Sequence, residues 1–365
     1  MQRGIKIFLF CLIMVPLSLS ALSLSERYPV YSYVFSEFDV DESYIDNEDF
    51  NHFVQGNQKN IEDLYRHSMK RGAILSSMVK GYLMDQGISD LFIYLSMVES
   101  GLSTDIVSPK KAVGLWQFMS ATAKHYNLDV CNSFDERCDP VSSTAAAINY
   151  LNKLYAQFGK WYLAAIAYNC GEGRLKKAIL KAGSDELGIL TNESAKYLPK
   201  ETRNYIRKIL LIAMIGEEKY LDFPVTFSSK EEDVIQVEVP AGCNLTKLAE
   251  ILKMKPSRLL GMNRQFKEGL VPRRKAHYML QIPEDKIMRF YLKYEPKAEI
   301  KKVRPHLVSH RVAMGDTLEH IAEKYHSCVD EIKTVNRLED DFLILDSLLL
   351  IPVSRETFEK MLRSM

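Results

Sequence analysis

The sequence has no excess of either charge and no grouping of residues that would bind a metal. Its 365 residues include 48 Lys and Arg against 47 Asp and Glu, a formal net charge of +1. Nucleic-acid-binding proteins usually carry a clear basic excess, so we expect no nucleic-acid partner. The 6 cysteines and 8 histidines are scattered without the spacing of a zinc site. We therefore expect no metal and no cofactor.

The apolar run at the N-terminus, Ile7–Val15, is shorter than a membrane-spanning helix requires. It follows Arg3 and Lys6 and precedes a series of small residues, which is the order of a secretory signal peptide. We expect residues 1–25 to be a signal peptide and the rest of the chain to be exported to the periplasm or cell envelope. An uncleaved anchor, with membrane association, is the alternative.

Two cysteines lie close together in the segment CNSFDERC, which begins at Cys131 and ends at Cys138. Exported proteins fold in an oxidising compartment, where such a pair can close a short loop as a disulfide. The sequence therefore predicts a disulfide between Cys131 and Cys138, with two free thiols as the alternative.

Helical periodicity dominates the chain from about residue 60 to residue 222. Apolar residues recur at intervals of three and four, and several of these segments end at glycine, which is typical of helix ends. Strand-like alternation is missing from the pattern. We expect one all-helical domain over residues 60–222, preceded by a polar N-terminal segment over residues 26–59.

An internal repeat follows the helical region. The segment Val237–Asn263 aligns with His310–Asn336, and each copy closes with a short apolar strand and a proline, Pro283 or Pro352. Each copy is predicted to contain a strand, two short helices and a second strand. The expected boundaries are 234–284 for the first copy, 285–306 for a linker, 307–353 for the second copy and 354–365 for a C-terminal helical tail.

The repeat resembles the LysM module, a small βααβ domain that binds glycans containing N-acetylglucosamine. The second copy has the Gly-Asp-Thr-Leu of that family at Gly315–Leu318 and its final asparagine at Asn336. The first copy departs from the family, with Cys243 and Asn244 in place of Asp-Thr and a longer segment before the closing strand. It is either a second glycan-binding module or a spacer.

The candidate catalytic residue is Glu99, which directly follows the apolar run Leu91–Val98. A carboxyl group among apolar residues tends to remain protonated at neutral pH. Glycosidases usually need two carboxylates, but between Leu91 and Asp129 the sequence offers only Asp105 besides Glu99. We therefore expect one carboxyl group to act first as an acid and then as a base. A solvated charge at a helix end is the alternative reading of Glu99.

Several motifs follow Glu99 at spacings that resemble those of the lytic transglycosylases, which share a lysozyme-like helical domain. With its LysM-like tail the chain is similar to the membrane-bound lytic murein transglycosylase D branch of that family. The matching pieces are Glu99-Ser100, Ser108, GLWQFM (Gly114–Met119), AYNCG (Ala167–Gly171) and LPKETRNY (Leu198–Tyr205).

The resemblance implies a role for each matching position, with Glu99 as the catalytic acid and base. Ser108 would orient the acetamido group of N-acetylmuramic acid, and Tyr205 would form a hydrogen bond near the carboxyl group. Trp116 is either a platform for a sugar ring or a core residue. The implied substrate-binding residues are Ser108, Gln117, Met119, Tyr168, Asn169 and Tyr205, with Ser100 and Glu201 in supporting positions.

The expected fold class is mainly α, a lysozyme-like helical catalytic domain followed by two small βααβ LysM-like modules. The implied reaction cleaves the β-1,4 bond between N-acetylmuramic acid and N-acetylglucosamine in peptidoglycan glycan strands and forms a 1,6-anhydromuramoyl end. A lysozyme-type muramidase, which would release reducing ends by hydrolysis, and a non-catalytic peptidoglycan-binding protein are the alternatives.

Overall fold

The computed structural model describes residues 22–222, 234–294 and 306–364, except residues 337 and 339. Residues 1–21 of the predicted signal peptide and residues 295–305 of the predicted linker therefore lie outside the described residues. Within the described ranges, no helix combines the length and the apolar character needed to cross a bilayer.

Residues 24–222 form helices that share one hydrophobic core. Short helical turns of the 3₁₀ type at Glu42–Asp46, Asp90–Phe92 and Glu136–Cys138 connect some of them. The helices are α1 (Leu24–Arg27), α2 (Tyr31–Glu37), α3 (Glu48–Asp85), α4 (Ile93–Ser100), α5 (Ser120–His125), α6 (Pro140–Phe158), α7 (Trp161–Cys170), α8 (Glu172–Ala182), α9 (Leu187–Leu190) and α10 (Lys200–Asp222).

The helical region begins before residue 60, because the predicted polar segment over residues 26–59 is itself largely helical and contributes to the core. Phe35, Phe38 and Phe50 are fully buried there. Asn47 caps the first turn of α3 by accepting a hydrogen bond from the backbone N–H of Phe50, 3.0 Å away. Acidic surface residues between these aromatic side chains lowered the apparent apolar content of the segment.

Helix α10 forms the centre of the helical domain and packs against α3, α4 and α7. Its residues Ile206 and Ile209–Ile215 are buried on nearly all sides, as expected for a helix that is apolar around most of its circumference. Helix α3 is interrupted at Gly72, whose backbone is not helical. An added Cβ there would lie 2.9 Å from the Cβ of Leu102, so glycine lets the segment after α4 approach α3 closely.

The two copies of the repeat each fold as an antiparallel strand pair with two helices between the strands. Each copy has its own hydrophobic core, which confirms the predicted fold class of a mainly helical chain with two small βααβ units. The first copy contains β1 (Val234–Pro240), α11 (Leu245–Ile251), α12 (Pro256–Met262) and β2 (His277–Pro283); the second contains β3 (His306–Arg311), α14 (Leu318–Tyr325), α15 (Val329–Asn336) and β4 (Leu348–Val353).

The asparagine that the two copies share has the same structural role in both. The side-chain amide of Asn263 donates to the carbonyl of Gln281 at 2.7 Å, and its oxygen accepts from the N–H of Gln281 at 2.7 Å. Asn336 makes the same pair of hydrogen bonds with Leu350. The amide thus ties the end of the second helix to the closing strand, which only a side chain with both a donor and an acceptor can do.

The predicted linker over residues 285–306 is wrong in its first part. Glu284–Lys286 form a 3₁₀ turn and Ile287–Lys293 form helix α13. Ile287 and Phe290 belong to the core of the first copy, because they project from one face of this helix towards it. The C-terminal residues form helix α16 (Arg355–Ser364).

The predicted disulfide between Cys131 and Cys138 does not form, and both thiols are free. The side chain of Cys138 is buried, and its sulfur lies 3.2 Å from Nζ of Lys267. Cys131 instead packs against the core of the first copy. The two side chains therefore have separate surroundings, although only six residues lie between them in the sequence.

Candidate active site

Glu99 occupies the last turn of α4, next to the point where the chain reverses direction. Gly101 adopts the left-handed conformation with a φ of 59° and ends the helix. The guanidinium group of Arg71 on α3 donates a hydrogen bond to the carbonyl of Gly101 at 2.7 Å. The turn after Glu99 is therefore fixed by a side chain from another helix.

The carboxyl group of Glu99 accepts a hydrogen bond from the phenol of Tyr205 on α10, with 2.6 Å between the two oxygens. Burial raises the pKa of Glu99 to about 7, the Tyr205 hydrogen bond lowers it in part, and the charge of Glu201 raises it. Burial outweighs the hydrogen bond because ionisation would place a charge among apolar groups. Near neutral pH, Glu99 can therefore both release and take up a proton.

Tyr168 on α7 lies on another side of the same site. Its phenol donates a hydrogen bond to the carbonyl of Trp116 at 2.8 Å. Burial raises the pKa values of Tyr168 and Tyr205 well above the ordinary value, and the charge of Glu99 raises both further. Both phenols are therefore protonated hydrogen-bond donors at neutral pH.

Residues 106–119, which we call the site loop, lie between the turn after α4 and helix α5. On the side of the loop that faces α4, which we call its inner side, the carbonyl of Leu115 accepts hydrogen bonds from the hydroxyls of Ser100, at 2.8 Å, and Ser96, at 3.3 Å. Both serines belong to α4. Ser100, a predicted supporting residue, thus attaches the site loop to the helix that carries Glu99.

Two predicted substrate-binding residues in the site loop also stabilise the loop itself. The hydroxyl of Ser108 accepts a hydrogen bond from the N–H of Ala112 at 3.0 Å. The side-chain amide of Gln117 donates to the carbonyls of Gly114, at 2.8 Å, and Ile106, at 3.2 Å. Any contact of these side chains with a substrate would add to hydrogen bonds that already shape the loop.

Trp116 is a core residue. Its side chain is fully buried, and its indole N–H donates to the hydroxyl of Thr144 at 2.9 Å. The exposed apolar surface of the site loop comes instead from Met119, a predicted substrate-binding residue, and from Ile106 and Val107, which the sequence did not single out. Branched aliphatic residues in a short run usually indicate a buried strand, so the pattern carried no signal for exposure.

The other carboxylates near the site differ from Glu99 in their surroundings. The side chain of Glu201 is 75% exposed and lies 3.8 Å from Nζ of Lys110 in the site loop. Asp105 lies 3.4 Å from the guanidinium of Arg264, and both side chains are about half exposed. Neither carboxylate is held among apolar groups as Glu99 is.

The structure brings together most of the predicted site residues. Glu99, Tyr205 and Tyr168 interact electrostatically with one another, and the site loop carries Ser108, Gln117 and Met119. Asn169 is half-buried at the end of α7. Arg137, a buried residue that contacts the site loop, was not predicted, because it lies in a segment without helical or strand periodicity.

Three parts of the chain match known domain families. Residues 80–187 match the Transglycosylase SLT domain, residues 233–298 match the LysM-like domain of lytic transglycosylase MltD, and residues 310–352 match the LysM domain. The chain therefore carries a transglycosylase SLT domain followed by LysM-type modules, as the resemblance predicted.

Among individual proteins, the chain is 27% identical to membrane-bound lytic murein transglycosylase D of Escherichia coli K12 over 273 residues, which cover 71% of this chain and 59% of that protein. The matched region thus spans less than two thirds of that relative's length. Peptidoglycan transglycosylase gp16 of phage T7 is 34% identical over 130 residues, covering 35% of this chain and 9% of that protein. The soluble lytic transglycosylase SLT70 of E. coli is similar with a TM-score of 0.35 and 22% identity, covering 53% of this chain and 30% of that one.

Proposed function

We propose that the protein is a peptidoglycan lytic transglycosylase. It cleaves the β-1,4 bond between N-acetylmuramic acid and N-acetylglucosamine and leaves a 1,6-anhydromuramoyl end. The observation that carries this proposal is the carboxyl group of Glu99, which has a pKa of about 7, accepts a hydrogen bond from Tyr205, and lies within the segment that matches the Transglycosylase SLT domain.

In the first step, protonated Glu99 donates its proton to the glycosidic oxygen. A pKa of about 7 means that about half of the molecules hold this proton at neutral pH. The positive charge that develops at the anomeric carbon is relieved by the acetamido oxygen of the substrate. This assistance replaces the second carboxylate, which agrees with the exposed and ion-paired state of Glu201.

In the second step, ionised Glu99 removes the proton from the C6 hydroxyl of the same sugar, and the C6 oxygen attacks the anomeric carbon. The ring closure is intramolecular, so it has an effective-concentration advantage over attack by water. The Tyr205 hydrogen bond stabilises the carboxylate between the two steps. Ser108, Gln117, Met119, Tyr168 and Asn169 are the side chains we propose as contacts of the glycan strand.

The second module, residues 306–353, is proposed to bind peptidoglycan glycans. It matches the LysM domain and exposes the apolar side chains of Met314, Phe342 and Leu345. We also propose that the chain is exported to the cell envelope, where this substrate is found.

Incubation with purified peptidoglycan tests the proposed activity. The expected products are muropeptides with anhydro ends, which mass spectrometry distinguishes from reducing ends because they are lighter by one water. Products with reducing ends only would identify a muramidase instead. Binding to peptidoglycan without any release of fragments would indicate a non-catalytic wall-binding protein.

The pH dependence of cleavage should follow the pKa of Glu99. Because the acid step needs the protonated form, the rate should fall as the pH rises above about 7. Tyr205→Phe removes a hydrogen bond that favours the ionised form of Glu99, so the pKa of Glu99 should rise. The alkaline limb of the pH–rate profile, where the rate falls, should move to higher pH with it. Glu201→Gln removes a negative charge that disfavours ionisation, so the limb should move to lower pH, by a smaller amount because Glu201 is exposed.

Glu186→Gln serves as the matched control for Glu201→Gln. Glu186 is an exposed carboxylate at the N-terminal end of α9, and its replacement should leave the alkaline limb unchanged. The measurement is the rate of anhydro-product release from pH 5 to pH 9 for each variant. Shifts of Tyr205→Phe and Glu201→Gln in the same direction would contradict the proposed control of the Glu99 pKa.

A further inference from the structure

The first module contacts the helical domain through the segment that distinguishes it from the second module. Twenty positions separate Asn263 from Pro283, whereas sixteen separate the equivalent Asn336 from Pro352. Residues 264–276, which we call the insert, include this extra length. They lie against residues 129–139 of the helical domain, which we call the docking segment.

Backbone pairing joins the insert to the docking segment. The N–H of Asp135 donates to the carbonyl of Gln265 at 3.0 Å, and the N–H of Lys267 donates to the carbonyl of Ser133 at 3.0 Å. Phe134 and Phe266 form an antiparallel bridge, with 5.2 Å between their ring centroids. Phe134 belongs to the core of the first module although it lies in the helical part of the chain.

At the edge of this contact, basic side chains of the insert face acidic side chains of the docking segment. Arg274 lies 2.7 Å from Asp129, and Lys275 lies 3.2 Å from Glu136. A third pair, Arg264 and Asp105, was described above. Interfaces with complementary charge fix the relative position of two surfaces and disfavour like-charge pairing. The insert is thus basic where the helical domain is acidic.

The docking segment in turn holds the site loop through Arg137. Nε and Nη2 of Arg137 donate to the two carboxylate oxygens of Asp135, both at 2.9 Å. Nη1 donates to the carbonyls of Phe118, at 3.1 Å, and Lys111, at 3.4 Å, in the site loop. The side chain of Arg137 is 8% exposed, so these hydrogen bonds are formed largely away from competing water.

We propose that the first module is an intramolecular brace for the active site and that Arg137 is the positioning residue through which it acts. Contacts run from Gln265 in the insert to Asp135, and from Asp135 to Arg137. Arg137 then contacts the carbonyls of Phe118 and Lys111, on the side of the site loop that faces the docking segment. The inner side of the loop is attached to α4 through Leu115. The module thereby holds the proposed sugar-contacting residues Ser108 and Gln117 in register with Glu99.

This inference rests on the proposed function for its catalytic meaning, but its structural part can be tested separately. In the full-length chain, Arg274→Asp with Lys275→Asp places like charges opposite Asp129 and Glu136. We expect amide hydrogen exchange to become at least about tenfold faster in the site loop and in the docking segment, which corresponds to about 1.4 kcal/mol of lost protection. The exchange of buried α10 residues should not change.

Two further variants control this experiment. Lys253→Asp with Lys255→Asp makes the same change of charge at exposed positions elsewhere in the same module, and it should leave exchange in the site loop unchanged. Adding Asp129→Arg to the variant with Arg274→Asp and Lys275→Asp restores one of the two pairs with its charges exchanged, and part of the protection should return. Unchanged exchange in the site loop after the Arg274 and Lys275 changes would overturn the brace, whether or not the docking segment loosens.

Kinetics of anhydro-product release provide the second readout. The Arg274 and Lys275 changes should raise KM several-fold and change kcat less. Arg137→Lys, which cannot form the same set of hydrogen bonds, should do the same. The alkaline limb of the pH profile should stay in place, because Tyr205 and Glu99 lie on α10 and α4. A shifted limb would contradict a positioning role. If the wild-type protein releases no anhydro products, the proposed function fails while the exchange measurement still decides the brace.

Discussion

Glu99→Gln is expected to lower the release of anhydro products by at least about 10²–10⁴-fold, the range that general acid–base catalysis usually contributes. Glutamine has nearly the same shape, and its side-chain oxygen can still accept the hydrogen bond from Tyr205. It cannot release a proton to the glycosidic oxygen or take one from the C6 hydroxyl. Both steps of the proposed reaction would therefore stop while the site keeps its form.

The same substitution should raise the stability of the fold at alkaline pH. Burial raises the pKa of Glu99 from 4.5 to about 7, so the folded protein binds a proton more tightly than the unfolded chain. The free energy of unfolding of the wild type therefore falls as the pH rises from about 4.5 to 7. Above that window the buried charge costs up to about 3 kcal/mol, a cost that the amide avoids.

Chemical denaturation at pH 5 and pH 8 measures this effect beside the activity assay. The expected pattern is an inactive variant that is more stable than the wild type at pH 8, with a smaller difference at pH 5. An inactive variant that is less stable at both pH values would show that the substitution damages the fold. Retained release of anhydro products would overturn the assignment of Glu99 as the acid and base.

Gly114→Ala is expected to lower the free energy of unfolding by about 2–5 kcal/mol and to displace the site loop. Gly114 has a φ of +84°, and an added Cβ would lie 1.9 Å from the carbonyl oxygen of Arg137. The left-handed backbone costs a non-glycine residue about 1–2 kcal/mol, and forcing apart a packed contact costs about 1–3 kcal/mol more. Because the contact joins the loop to the docking segment, activity should fall as well.

Gly159→Ala separates the cost of the left-handed backbone from the cost of the close contact. Gly159 ends α6 with a φ of +74°, and an added Cβ would have no neighbour within 4 Å. Replacing Gly159 should therefore lower the free energy of unfolding only by the cost of the left-handed backbone and leave anhydro-product release unchanged. Equal losses of stability for the two variants would contradict the close approach of Gly114 to Arg137.

The sequence was informative where local patterns determine structure. Helical segments were predicted to end at glycine, and α6 and α8 do so at Gly159 and Gly183, because glycine readily adopts the left-handed conformation that ends a helix. The repeat was also recognisable, since each copy must bury the same apolar positions and needs the same asparagine to join its helix to its closing strand. Glu99 could be singled out as the candidate catalytic residue because a carboxyl group directly after an apolar run is unusual.

The features that were missed depend on contacts between distant parts of the chain. Phe134 packs in the core of a module more than one hundred residues later, and no local pattern marks such a residue. The burial of Arg137 follows from its pairing with Asp135, whereas a lone arginine between acidic residues usually indicates a solvated surface. The predicted disulfide was wrong for a similar reason, because the surroundings of each cysteine are set by the docked module.

The hydrogen bond between Glu99 and Tyr205 joins residues 106 positions apart in the chain. Burial raises the pKa of Glu99 despite this hydrogen bond, so in a chain whose α10 has not docked against α4 the side chain would be an ordinary carboxylic acid, ionised at neutral pH. The ability to cut a glycan would thus arise only when the central helix is in place. By the proposed mechanism, a chain in which α10 is not docked would therefore leave peptidoglycan uncut, without the need for a separate inhibitor.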